Sequence, residues 1–243
     1  MESKKHQKST RRHVREPGSA RPSLTREGIV LSALKIMDEE GYESLSMRRL
    51  GTELKVDPMA VYYHFPNKSA LLDGVVELVM GGIDLGRDDP TQTVEERLCT
   101  AAHIYREALL AHPQAVQITA VRSLNTPASF RPVEFLLEIL LGAGFSHTDS
   151  MAFVNIFARF VRGMVLLEVR QMTDTDSLAQ DECTIKSPSD VLPTDEFPLM
   201  HKVMENACFI GNEAEFDRGA RAMIRGLLDE FANKEEPGDS DVK

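Results

Sequence analysis

The sequence predicts an all-α protein, an N-terminal three-helix helix-turn-helix domain followed by a larger helical domain. Three observations carry the prediction. No segment shows the apolar–polar alternation of a half-buried strand. Apolar residues recur instead at i, i+3, i+4 spacing, in runs bounded by capping residues. Residues 45–68 hold two short helical patterns separated by a tight turn. There is no internal repeat.

Residues 1–23 are polar and basic, with Lys4, Lys5, Lys8, Arg11, Arg12, Arg15 and Arg21 against Glu2 and Glu16. Gly18, Ser19 and Pro22 discourage structure, so this segment is expected to be a disordered arm. Such an arm either follows phosphates or a minor groove, or is a solvated tail without consequence.

The helix-turn-helix domain is expected at 24–68. Thr25 caps its first helix, which runs to about Glu40 on an inner stripe of Ile29, Ala33, Ile36 and Met37; Gly41 ends it. Ser46 caps the second, since its hydroxyl accepts from the free N–H groups of the opening turn. Leu50 and Leu54 give that helix an apolar face. Asp57 caps the third, with Pro58 at the first position, where a missing N–H costs nothing. Val61 and Phe65 anchor it. Pro66 stops it, and Asn67 caps the next helix.

The larger domain is expected at 69–232. A helix from Lys68 to about Met80 is apolar around most of its surface and should lie between neighbours. Gly81-Gly82 after it offers a pivot. Thr93-Val-Glu-Glu96 is a capping box opening a helix to about Ala111. A short helix spans about Pro113 to Val121, and another starts near Pro132 and ends by Gly142 to Gly144. Ser146 caps a long helix to about Met172. Its Phe153, Ile156, Phe157, Phe160, Val161, Met164, Val165 and Leu167 exceed one stripe, so several faces must be buried. Residues 173–196 carry seven acidic side chains against Lys186 alone and are expected to be a flexible acidic loop. Two final helices fall at about Pro198 to Phe209 and Glu215 to Ala232, and 233–243 is expected to be a disordered tail.

Met59, Ala60, Tyr62, Tyr63 and His64 are left over from the packing of the third helix, and they suit a DNA major groove. Arg48 can fork onto a guanine edge, and Met59 or Ala60 can touch a thymine methyl. Tyr62 and Lys68 can hold phosphates and fix the register, Lys68 from a helix N-terminus that favours an anion. Ser46, Pro58, Tyr63 and His64 complete the candidate DNA face. The spacing alone also fits a plain helical hairpin with solvated charges.

Leu45-Ser-Met-Arg-Arg-Leu50, then Val56-Asp-Pro-Met-Ala-Val-Tyr-Tyr-His-Phe-Pro-Asn-Lys68, resembles the DNA-binding domain of TetR-type repressors over about residues 24–80. Fainter similarity to the tetracycline-repressor-like regulatory domain runs through His112-Pro113, Gly144-Phe145 and Arg162-Gly-Met-Val-Leu-Leu-Glu168. One departure is Lys55, which stands where the family usually has glycine; a positive φ there carries about 1 kcal/mol of strain. The resemblance implies a homodimeric repressor, released from a palindromic double-stranded DNA operator by a small-molecule effector. A ligand-independent DNA-binding protein is the alternative.

The resemblance also implies roles in the larger domain. Effector contacts are expected among His103, Tyr105, Arg106, Gln117, Asn155, Phe157 and Met164, with Arg122 and Arg162 as further pocket liners. Phe160, Met164, Met223, Leu227 and Leu228 are the expected dimer interface, because two helices apolar beyond one stripe need a partner surface. The metal–drug site of tetracycline repressors needs a histidine and a long-helix carboxylate. Gln117 or Ile118 and Leu167 stand there instead, so a metal–tetracycline inducer is not expected.

Composition sets limits. The formal net charge is −10, which argues against indiscriminate coating of nucleic acid. Residues 1–68 hold 13 Lys+Arg against 9 Asp+Glu, whereas the rest holds 15 against 29. A basic front on an acidic body suits DNA contact at one end. Cys99, Cys183 and Cys208 form no CxxC pair, so neither a disulfide framework nor a zinc site is expected. No Gly-rich nucleotide loop, nucleophile elbow or His-x-x-x-His is present; no enzyme activity, cofactor or metal is expected. No apolar stretch is expected to reach the ~18 residues needed to span a bilayer, and no signal-peptide pattern is seen. The expectation is a cytoplasmic protein without a membrane partner.

Overall fold

The computed structural model describes residues 24–85, 89–122, 126–178, 192–204 and 213–232, without the side chains of 171–178, 204 and 232. The basic arm at 1–23, most of the acidic segment, the tail at 233–243, and Cys183 and Cys208 lie outside the described residues. Every regular element among them is helical.

The first three helices are α1 (Arg26–Glu40), α2 (Met47–Leu54) and α3 (Pro58–His64), and each begins at the cap its sequence provides. Thr25 accepts from the Gly28 amide, Ser46 from Arg49, and Asp57 from Met59. Gly41 closes α1 at φ 86°, a conformation that suits a residue without Cβ. Lys55 closes α2 in the left-handed region at φ 56°, ψ 41°, so the strain expected there is present. Ile29, Ala33, Met37, Leu50, Val61 and Phe65 are fully buried and make the small core of this unit.

Asn67 accepts from the Ala70 amide and opens α4 (Lys68–Gly81). Leu71, Leu72, Val75, Val76 and Val79 are buried on several sides of α4, which packs on α1, α6 (Pro113–Val121) and α7 (Pro127–Gly142). Its contact with α7 is the most extensive among the described helices. Gly81 belongs to that contact and is not a free pivot. A Cβ on Gly81 would lie 3.2 Å from the Ala128 Cβ, so the glycine lets the two helices approach closely.

α7 starts earlier than Pro132 predicts. Thr126 accepts from the Ser129 amide and opens the helix, leaving Pro132 in its interior. There the ring removes the amide that would bond the Ala128 carbonyl.

α5 (Val94–Leu110) begins at the expected Thr93–Glu96 capping box. α8 (His147–Leu178) extends further than composition predicts, into the acidic stretch. Its buried stripe is Phe153, Phe157, Val161, Val165 and Val169, set against α5, α6, α7 and the last helix. Ile156 and Leu167, which the apolar pattern places under cover, are 39% and 59% exposed in the single chain. By length and composition His147–Arg170 could cross a membrane, although Asn155, Arg159 and Arg162 interrupt its apolar run. α9 (Pro198–Met204) and α10 (Glu213–Ala232) follow; Phe216, Ala220 and Ile224 bury one face of α10.

Candidate DNA interface and ligand cavity

α3 has one anchored side and one open side. Val61 and the following Phe65 are wholly buried, while Met59, Tyr62 and Tyr63 are 70%, 42% and 89% exposed. Pro58, Ala60 and His64 are partly covered. Arg26 on α1 fastens the end of this helix, its Nη1 donating to the His64 carbonyl at 2.9 Å and its guanidinium lying 4.0 Å from the Phe65 ring centre. Nothing local in the sequence announces Arg26 in that role, because its partner is 38 residues away.

The two arginines of α2 have different tasks. Arg49 is clasped by Glu40 and Glu53, and its hydrogen bonds hold both carboxyls below their usual range. Arg48 is exposed and has no carboxylate partner among the described residues, so its fork is open to a ligand. Ser46 is occupied as the α2 cap. Lys68 stands in the first turn of α4 with its ammonium 4.8 Å from the Tyr42 ring centre, which props it beside the helix N-terminus. Exposed aromatic and apolar groups on a short helix, flanked by Arg48 and Lys68, can read base edges and hold phosphates.

A cavity of about 350 Å³ lies among the end of α4, α5, α7 and α8. Tyr105, Asn155 and Phe157 line it, as do Arg122 and Arg162. Burial pushes the Tyr105 phenol up to about 12, against the opposing pull of Arg162, so it stays protonated. Its hydroxyl points to the Met80 sulfur at 3.8 Å. Arg162 donates to the carbonyls of Ala158 at 3.1 Å and Thr119 at 3.0 Å. Met80, Phe130 and Leu136 also line the cavity. Sequence reasoning missed these three, since apolar side chains on amphipathic helices carry no mark of facing a void.

The other four expected contacts lie outside the cavity. His103 faces Asp217 at 3.1 Å and the edge of Phe216, and Arg221 then His103 hold Asp217 below the usual carboxylate range. Arg106 makes a forked pair with Glu168 at 2.6 and 3.1 Å. Gln117 lines a separate groove with Tyr42 and Leu167, and Met164 packs half-buried against the core. Two of the four are thus claimed by carboxylates from distant helices. Cys99 is buried and its thiol is pushed up by that burial, which makes it a packing residue. Phe160, Met164, Met223, Leu227 and Leu228 are all half-buried along α8 and α10.

Residues 29–75 match the family model described as bacterial regulatory proteins, tetR family, and residues 86–231 match the tetracyclin repressor-like C-terminal domain. The class C tetracycline repressor protein of Escherichia coli is 29% identical over 84% of this chain and 90% of its own length. A possible TetR family transcriptional regulator from Streptomyces coelicolor A3(2) superposes with TM-score 0.71 at 25% identity, covering 85% of this chain and 100% of that one. ActR of Streptomyces coelicolor in complex with actinorhodin superposes with TM-score 0.68 at 25% identity, over 87% and 99%. The chain belongs to the TetR family of bacterial regulatory proteins, as a helix-turn-helix transcription regulator with a tetracycline-repressor-like C-terminal domain.

Proposed function

We propose that the protein is a cytoplasmic homodimeric repressor that binds a palindromic operator through α3 and leaves it when a small molecule fills the cavity. It acts as a regulator and not as a catalyst. The observation that carries the DNA reading is the two-sided character of α3: Val61 fully buried, Tyr63 and Met59 wide open, and Arg48 free of the carboxylates that hold Arg49. Ser46, Pro58, Ala60, Tyr62, His64 and Lys68 supply the remaining contacts and positioning. The cavity favours a ligand-responsive protein over a ligand-independent one, because Met80 of α4 forms part of its wall. The half-covered Phe160, Met164, Met223, Leu227 and Leu228 on α8 and α10 are the surface for a second copy.

Selection of duplexes from a random pool by the full chain tests this reading. The expected product is a two-fold symmetric site with half-sites about one DNA turn, ~34–36 Å, apart. Leu227→Glu should sediment as a monomer and lose that site, because a carboxylate in the interface cannot be paired. An asymmetric product, no enrichment, or a wild-type monomer at micromolar concentration would overturn it.

A further inference from the structure

Resting on the reading of the cavity as the effector site, we infer that its ligand is an aromatic acid, whose oxyanion is taken by Arg162 and Arg122 while its flat body lies against Phe157 and Leu136. The lining is mostly apolar, yet two arginines form part of it and no Asp or Glu does so among the described residues. Among the described residues, Arg162 hydrogen-bonds only to the carbonyl oxygens of Ala158 and Thr119. Those bonds satisfy two of its five N–H groups and leave its charge unneutralised. A cation in an apolar wall is costly until an anion joins it, and a guanidinium fork suits an oxyanion of planar geometry. The Tyr105 hydroxyl on the same wall, whose one O–H points at the weakly accepting Met80 sulfur, can turn to such an oxyanion.

Arg122 adds the link to DNA binding. Its Nη1 donates to the Ser69 carbonyl at 3.1 Å and to the carboxylate of Asp73, both within the first two turns of α4 after Asn67. The same side chain lines the cavity. An anion in the cavity therefore competes with Asp73 for Arg122 and loosens the hold of α6 on the part of α4 next to α3.

The test uses two fluorescent probes with the same aromatic body, the anion 8-anilinonaphthalene-1-sulfonate and the neutral N-phenyl-1-naphthylamine. Both are titrated into the full-length protein and its variants. The anion should bind at least tenfold more tightly than the neutral probe. Arg162→Met should bring the two to near parity, with Arg162→Lys intermediate, and Ala158→Phe, which fills the cavity, should remove both. If Arg162→Met fails to fold, the lysine variant and the weakening of the anion alone at high salt carry the same test. Equal wild-type affinities, or a preference that survives in Arg162→Met, would overturn the aromatic-acid inference and leave the cavity reading standing. Binding of both probes undiminished by Ala158→Phe would overturn the cavity reading itself, and the inference with it.

Discussion

The Arg122 guanidinium, at the end of α6, bonds the Asp73 carboxylate in the middle of α4, so the wall of the cavity and the helix that carries the DNA-binding unit share one ion pair. Asp73 is 44% exposed, which limits the strength of the pair to under ~1 kcal/mol. Asp73→Asn frees Arg122 to turn toward the cavity. Titration of the variant with 8-anilinonaphthalene-1-sulfonate should show binding roughly two- to fivefold tighter than wild type. Unchanged or weaker binding would show that Arg122 does not divide its charge between the two sites.

Arg48 and Lys68 should separate by the kind of loss they cause. Arg48→Ala is expected to cost about 1–3 kcal/mol on the selected operator and to relax preference at one position. Lys68→Ala should weaken all sequences alike and reduce the slope of log K against log salt by about one. A Lys68→Ala slope equal to wild type would remove its phosphate contact, leaving only its stacking on Tyr42.

Gly81→Ala tests the α4–α7 approach. The added methyl meets Ala128 at 3.2 Å, too close to sit without a shift of one helix. Thermal unfolding should show a loss of about 1 kcal/mol, and adding Ala128→Gly should recover part of it. Full stability in the single variant would mean that the α4–α7 junction is slack at this point.

Lys55→Gly should be stabilising. Lys55 holds φ 56° at the end of α2, where a side chain is disfavoured and glycine is not. The expected gain is about 0.5–1 kcal/mol in urea unfolding, with no change in the DNA sequence selected. A loss of stability would show that the lysine side chain contributes more than its backbone strain costs.

The helix starts were legible wherever the cap was a familiar residue pair. Thr25, Ser46, Asp57, Asn67 and the Thr93–Glu96 box each open the helix their chemistry predicts. The start of α7 was not, because Thr126 is answered by Ser129 where a capping box usually has Glu or Gln, and Pro132 drew the boundary inward. Tyr105, Asn155, Phe157, Arg122 and Arg162 could be picked out as polar or aromatic residues on apolar helices. His103 and Arg106 look the same in sequence. Only the fold brings Asp217 and Glu168 to them, across 114 and 62 residues. Met80 brings α4 into the cavity wall, and it reads as ordinary core until α5 places Tyr105 against it.

The most direct test of the link between cavity and operator is fluorescence anisotropy of the selected duplex, titrated with protein in the presence and absence of saturating 8-anilinonaphthalene-1-sulfonate. A coupling of about 1–3 kcal/mol predicts a 5–150-fold loss of operator affinity with the anion bound, and the loss should disappear in Ala158→Phe. Operator affinity that stays the same while the cavity is full would contradict the account.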